Sequence, residues 1–171
     1  MALVGRSRLE VTEQTYVLGR GDAGVKLAHL SDLHYGPGAT RVLLRTAIGH
    51  IAAARPDMIV LTGDFVDTSD DLEEVCAELA ALVAVRPPLG LWACLGNHDF
   101  WSDPQAVVVA VEQLGINVLL NEHAVVETAG GPLIVGGVLD SWCGRADIAG
   151  ALAGAPTGVP SVLLSHCPDY I

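Results

Sequence analysis

Basic residues are scarce. Nine Lys and Arg face twenty Asp and Glu, a formal net charge of −11. A surface of that sign repels nucleic-acid backbone and anionic bilayers, and no basic cluster relieves it, so neither is an expected partner. Long apolar runs are missing too. The longest covers seven residues, 79–85, against the roughly 20 that a membrane-spanning helix needs. Residues 1–10 hold two Arg but no apolar stretch of the signal-peptide kind. The four cysteines, Cys76, Cys94, Cys143 and Cys167, include no CxxC pair. That argues against a zinc ribbon and a disulfide scaffold, and predicts free thiols in a reducing cytoplasm. Aromatic residues make up only 5%. What remains is 51% hydrophobic, too apolar for a disordered chain, and 171 residues suffice for one domain with one core.

Periodicity then places the elements. Short apolar or alternating segments predict strands over 9–18, 25–30, 58–61, 89–95, 117–119, 124–127, 133–135 and 161–165. Leu44, Ala47, Ile48 and Ile51 share one face of a helix over 40–54, which Pro56 follows. Asp70 and Asp71 open a second helix running to about 85, acids in the first turn as the macrodipole favours. Asp103 as N-cap, Pro104 at N1 and Gly115 as C-cap bracket a third, and 145–153 a weak fourth. Residues 62–69 and 96–103 read as loops. Strand and helix alternate, so the class is α/β with a largely parallel sheet, in a single domain over residues 1–171.

One glycine pattern misleads. Gly19, Gly21 and Gly24 match GxGxxG, but a dinucleotide loop must open a helix and here a strand follows, so the segment reads as a turn. The Arg20-Gly21-Asp22 triplet inside it is the same turn.

The polar residues fall into a stronger pattern. Asp32 and His34 follow the strand 25–30, and Asp64 and Asp67 follow 58–61. Asn97, His98 and Asp99 follow 89–95, and His166 follows 161–165. Four strands thus deliver oxygen or imidazole donors at their carboxyl ends, the edge where α/β sheets bind ligands. Gly36, Gly63 and Gly96 are expected to let the backbone turn tightly there. The donor set suits Mn, Fe, Zn, Co or Ni in a catalytic site. The plainer alternative, Asp residues capping helices and His residues satisfying core hydrogen bonds, does not account for the fourfold recurrence.

The strings His29-Leu-Ser-Asp32-Leu-His34, Gly63-Asp64-Phe-Val-Asp67, Gly96-Asn97-His98-Asp99 and Ser165-His166 resemble the calcineurin-like metallophosphoesterases, most closely their small bacterial phosphodiesterase-type branch. The resemblance covers about residues 25–171. It implies a two-sheet sandwich flanked by helices, with two divalent metal ions at the strand ends. It assigns Asp32 and His34 to one ion, Asn97 and His166 to the other, and Asp64 as the bridge between them. His98 is assigned to the leaving oxygen of the substrate and Asp67 to orienting His98. The implied activity is hydrolysis of phosphodiesters, with activated phosphomonoesters as further substrates, by attack of a metal-bound hydroxide. No Cys-His or GxSxG nucleophile competes with it.

The family's last signature, a Gly-His-x-His loop, has no counterpart before Ile171. The fold is therefore read as C-terminally incomplete. Its uncovered sheet edge predicts self-association into a homo-oligomer, and a catalytically weak metal- or partner-binding domain stands as the alternative function. Among the neighbours, Asp99 reads equally as tuning His98 or as an ordinary loop acid. Arg145 reads as a solvated loop residue rather than a phosphate contact. Phe100 and Trp101 read either as the wall of an apolar leaving-group pocket or as plain packing. Cys167 is not expected to be a ligand, and His29, His50 and His123 are expected to be structural or exposed.

Overall fold

In β2, Met58–Leu61, every side chain is buried. Such a strand must lie between two layers, and the computed structural model, which describes residues 9–17, 24–36, 38–143 and 146–169, shows both. Four parallel strands form the first sheet in chain order: β1 (Leu27–Leu30), β2, β3 (Leu91–Ala93) and β4 (Asn117–Val118). The register sets Leu30 beside Leu61 and Leu61 beside Ala93, so three strands end at one level. The second sheet is an antiparallel hairpin, β5 (Glu122–Thr128) and β6 (Gly131–Gly137), with β7 (Ser161–Leu164) parallel to β6.

The helices are α1 (Ala39–Ala54), α2 (Leu72–Val83), α3 (Asn97–Ser102), α4 (Pro104–Gln113) and α5 (Ile148–Ala151). Strand alternation divides the core. Ile59, Leu61, Leu91 and Ala93 meet Leu44, Ile48 and Ile51 of α1, Val75, Leu79 and Leu82 of α2, and Val107 and Val111 of α4. Met58, Val60, Trp92 and Cys94 point the other way and meet Leu133, Val135 and Leu164 of the second sheet. Each such buried aliphatic side chain contributes about 1.5–3 kcal/mol, so both sheet faces are firmly held. The expected α/β class and the sandwich of two sheets flanked by helices are both present.

Several boundaries differ. No strand forms over the described part of 9–18: Val11, Tyr16 and Val17 are exposed, and alternation without a neighbouring strand buries nothing. The segment expected to be a loop over 96–103 contains α3, because the Asp99 carboxylate at its third position accepts the Gly96 N–H at 2.9 Å. The helix expected over 145–153 shrinks to α5, capped where Asp147 accepts the Gly150 N–H at 2.7 Å. Residues 18–23, including the expected Arg20-Gly21-Asp22 turn, and Arg145 lie outside the described residues.

Candidate metal centre

The loops after β1 and β2 stay paired beyond the strands. The N–H of Asp32 donates to Gly63 O at 3.1 Å, that of His34 to Asp64 O at 2.8 Å and that of Tyr35 to Phe65 O at 3.0 Å. This pairing holds Asp32, His34 and Asp64 at φ values of 53°, 39° and 53°, in the left-handed region that side chains resist. Backbone strain of about 1–3 kcal/mol per residue is typical of functional sites, where the surroundings over-determine the geometry. Gly63, at φ 88°, lies so close to the Gly96 backbone that it could not carry a Cβ, and a Cβ on Gly96 would strike Asp64 and His166. Gly36 differs from its expected role: it has no positive φ, and a Cβ there would meet nothing within 4 Å.

Asp99 fastens these loops to α3. Fully buried, its carboxylate accepts the N–H groups of Asp64 (2.8 Å), Phe65 (2.8 Å) and Gly96 (2.9 Å). Burial pushes its pKa up to about 6, against those three donors, which favour the charged form. Asp99 is a backbone clamp between loops. Asp64 Oδ1 in turn accepts the His98 N–H at 2.9 Å.

All seven candidate residues converge. Asp64 Oδ2, almost inaccessible, lies 3.4 Å from His34 Nε2 and 3.4 Å from His166 Nε2. Asp32 Oδ1 is 3.8 Å from His34 Nε2, and Asn97 Oδ1 is 3.1 Å from His166 Nε2. Asp67 Oδ1 touches two rings, His34 Nδ1 at 2.6 Å and His98 Nδ1 at 2.9 Å. The His34 and His98 rings meet edge to face, with centroids 4.7 Å apart. Two triplets of ligand atoms fall within 4.8 Å of one another: His34, Asp64 and His98, and Asp32, Asp64 and His166. They share Asp64, but they divide the residues differently from the resemblance, grouping His98 with His34 and Asp32 with His166.

The donor set suits cations. Ligands bound at about 2.1 Å to one tetrahedral ion lie about 3.4 Å apart, the spacing seen around Asp64 Oδ2. The second ring nitrogens are already committed. His166 Nδ1 donates to Thr62 O at 2.7 Å, and His34 Nδ1 faces the Asp67 carboxylate. Such outer bonds fix the tautomer that leaves Nε2 free for a metal. In that tautomer His166 Nε2 and Asn97 Oδ1 are two acceptors facing each other. A cation between them resolves this, as does a doubly protonated ring.

Other side chains take lesser places. His29 Nε2 bonds Thr62 Oγ1 at 2.8 Å, and burial lowers its pKa. His50 is exposed, and His123 Nδ1 donates to Ala151 O at 2.7 Å. Phe100 packs against the core, whereas Trp101 is exposed with its ring 5.0 Å from that of His98. Asp140, absent from the sequence reading, is 1% exposed just beyond β6. Its signal was the same as for the others, an acid after a strand, but a lone Asp following Val-Leu carries no motif.

An α/β sandwich that gathers acids and imidazoles at its strand ends is the setting of a candidate metal site. The chain belongs to the calcineurin-like phosphoesterase family, whose pattern matches residues 25–170. It is 32% identical over 151 residues to the uncharacterized metallophosphoesterase YkoQ of Bacillus subtilis, covering 86% of this chain and 54% of that protein. It is 30% identical over 152 residues to the phosphodiesterase YaeI of Escherichia coli K12, again 86% and 54%. A shorter match, 35% over 82 residues, covers 45% of this chain and 23% of the UDP-2,3-diacylglucosamine pyrophosphatase LpxG of Chlamydia muridarum. The chain spans about half the length of the curated relatives it matches. Among the described residues no helix is long and apolar enough to cross a membrane.

Proposed function

We propose that this centre binds two divalent cations and hydrolyses phosphodiesters, with activated phosphomonoesters as secondary substrates. The observation that carries the reading is Asp64 Oδ2, equidistant at 3.4 Å from two imidazole Nε2 atoms whose Nδ1 atoms are already engaged. The names of YaeI and LpxG, a phosphodiesterase and a pyrophosphatase, support the same reaction class.

In this reading Asp64 would be shared by both ions, with Asp32 and His34 holding one and Asn97 and His166 the other. Bound divalent ions supply Lewis-acid polarisation of the phosphoryl oxygens and a water acidified toward neutral pH. The paired loops and the Asp99 clamp hold the ligands in place before binding, so little reorganisation accompanies the reaction. His98, its Nδ1 2.9 Å from Asp67, holds a proton at Nε2 for the departing oxygen. Asp67 orients that ring and the His34 ring together.

The test is metal analysis of the purified chain, joined to bis(p-nitrophenyl) phosphate turnover before and after chelation. Bound divalent metal with turnover that chelation abolishes and metal restores is expected. Metal bound without turnover would leave a binding domain. No metal bound at all would overturn the reading.

A further inference from the structure

The chain has three tryptophans. Trp92 is buried between the sheets, but Trp101 is 62% exposed and Trp142 74% exposed. Single exposed apolar residues are ordinary. These two are different because both sit on segments bonded to the candidate centre. Trp101 lies on α3, the helix that carries Asn97 and His98, and its ring is tilted 50° against His98 at 5.0 Å. Trp142 lies on the loop after β6, which is turned by one local bond and joined to α3 by another. The buried Asp140 carboxylate accepts the Trp142 N–H at 2.8 Å. The next residue, Cys143, donates its thiol to Asn97 O at 3.7 Å.

Burying a carboxylate is costly unless it is well paired, and the second Asp140 oxygen has no partner among the described residues. That expense secures a loop whose most prominent side chain is an indole left in water. Trp101 is the exposed aromatic ring in contact with His98, the side chain that the proposed reaction sets at the departing oxygen. An anionic bilayer is a poor partner for these two rings, since the chain carries a net charge of −11.

We propose that Trp101 and Trp142 form an aromatic rim that receives the organic substituent of the phosphoester and gives the centre a preference for flat or apolar ester groups over small alkyl ones. This rests on the phosphoesterase reading above and names its substrate class. Aromatic pairing of ordinary strength corresponds to a few-fold to about tenfold in affinity per ring.

The experiment is calorimetric titration of the Mn-loaded chain with phenylphosphonate and with methylphosphonate, which share the anionic head and differ only in the substituent. Phenylphosphonate is expected to bind about tenfold more tightly. That advantage should fall in Trp101→Ala and Trp142→Ala and return in Trp101→Phe and Trp142→Phe, all four melting near the parent. Equal binding of the two phosphonates would overturn the rim and leave the phosphoesterase reading standing. Binding of neither, with metal present, would overturn both. Tryptophan-dependent binding to phosphatidylcholine vesicles, without a difference between the phosphonates, would overturn the rim in favour of a bilayer surface.

Discussion

Gly63 and Gly96 meet backbone to backbone: a Cβ added to Gly63 would fall 2.0 Å from the Gly96 nitrogen. The loops that carry Asp64 and Asn97 therefore touch with no side chain between them. Gly63→Ala combines this clash with a φ of 88°. It should destabilise the chain by at least the ~1–3 kcal/mol of ordinary overpacking, and should lower metal affinity as the loops part. Thermal melting and metal titration of the variant read both effects. An unchanged melt would show that the contact is not tight.

Asp64→Asn should reduce metal content more than any change outside the ligand shell, because one carboxylate oxygen faces both imidazoles. Elemental analysis after gel filtration measures it. Near-normal metal and turnover in this variant would disprove the shared-ligand assignment.

His98→Ala should slow turnover by about 10²–10⁴-fold on substrates with poor leaving groups, the usual range for a lost acid–base group. The loss should shrink for nitrophenolate, which departs without a proton. A comparison of aryl and alkyl phosphodiesters checks this. Equal losses on both, accompanied by lost metal, would instead make His98 the ligand that its grouping with His34 and Asp64 allows.

Asp67→Asn tests a bond that the sequence reading did not include. Asp67 lies nearer to His34 Nδ1, at 2.6 Å, than to His98 Nδ1, at 2.9 Å. Its loss should therefore weaken metal binding by about 10–100-fold, the usual effect of removing a partner behind a ligating histidine. It should also alter leaving-group dependence. Altered leaving-group dependence without weakened metal binding would confine Asp67 to His98.

A pH-dependent contribution to stability lies between α1 and α2. Arg45 of α1 forks onto Glu78 of α2, Nε and Nη2 each 2.7 Å from a carboxylate oxygen, with Arg41 Nε at 3.2 Å. The Arg45 hydrogen bond holds the Glu78 carboxyl below its ordinary 4.5. A carboxylate with a lowered folded pKa stabilises the fold above its unfolded pKa and loses that contribution as pH falls through the folded one. Glu78→Gln should accordingly melt lower than the parent at pH 7, with the gap closing below about pH 4.5 and narrowing in high salt. Melting curves across pH measure it. A gap that persists in acid would mean that packing, not charge, is lost.

The placement of donor side chains at the strand ends was legible from the chain alone, because it is local. A buried strand such as Met58–Leu61 announces itself by composition, and the next polar residues must emerge at its carboxyl end. Asp32, His34, Asp64, Asp67, Asn97, His98 and His166 could all be found that way, and so could the α/β class. What joins them was not legible. The Gly63–Gly96 contact, the Asp99 clamp across two loops and the sharing of Asp67 by two histidines all depend on which strands are neighbours and in what register. Residues some 35 positions apart are brought within 3 Å only by that pairing. The absence of a strand over 9–17 has the same origin, since alternation states which face would be buried but not whether a partner lies beside it. Tertiary structure decided these points because hydrogen bonds between loops are set by the spacing of strands, which no single segment encodes.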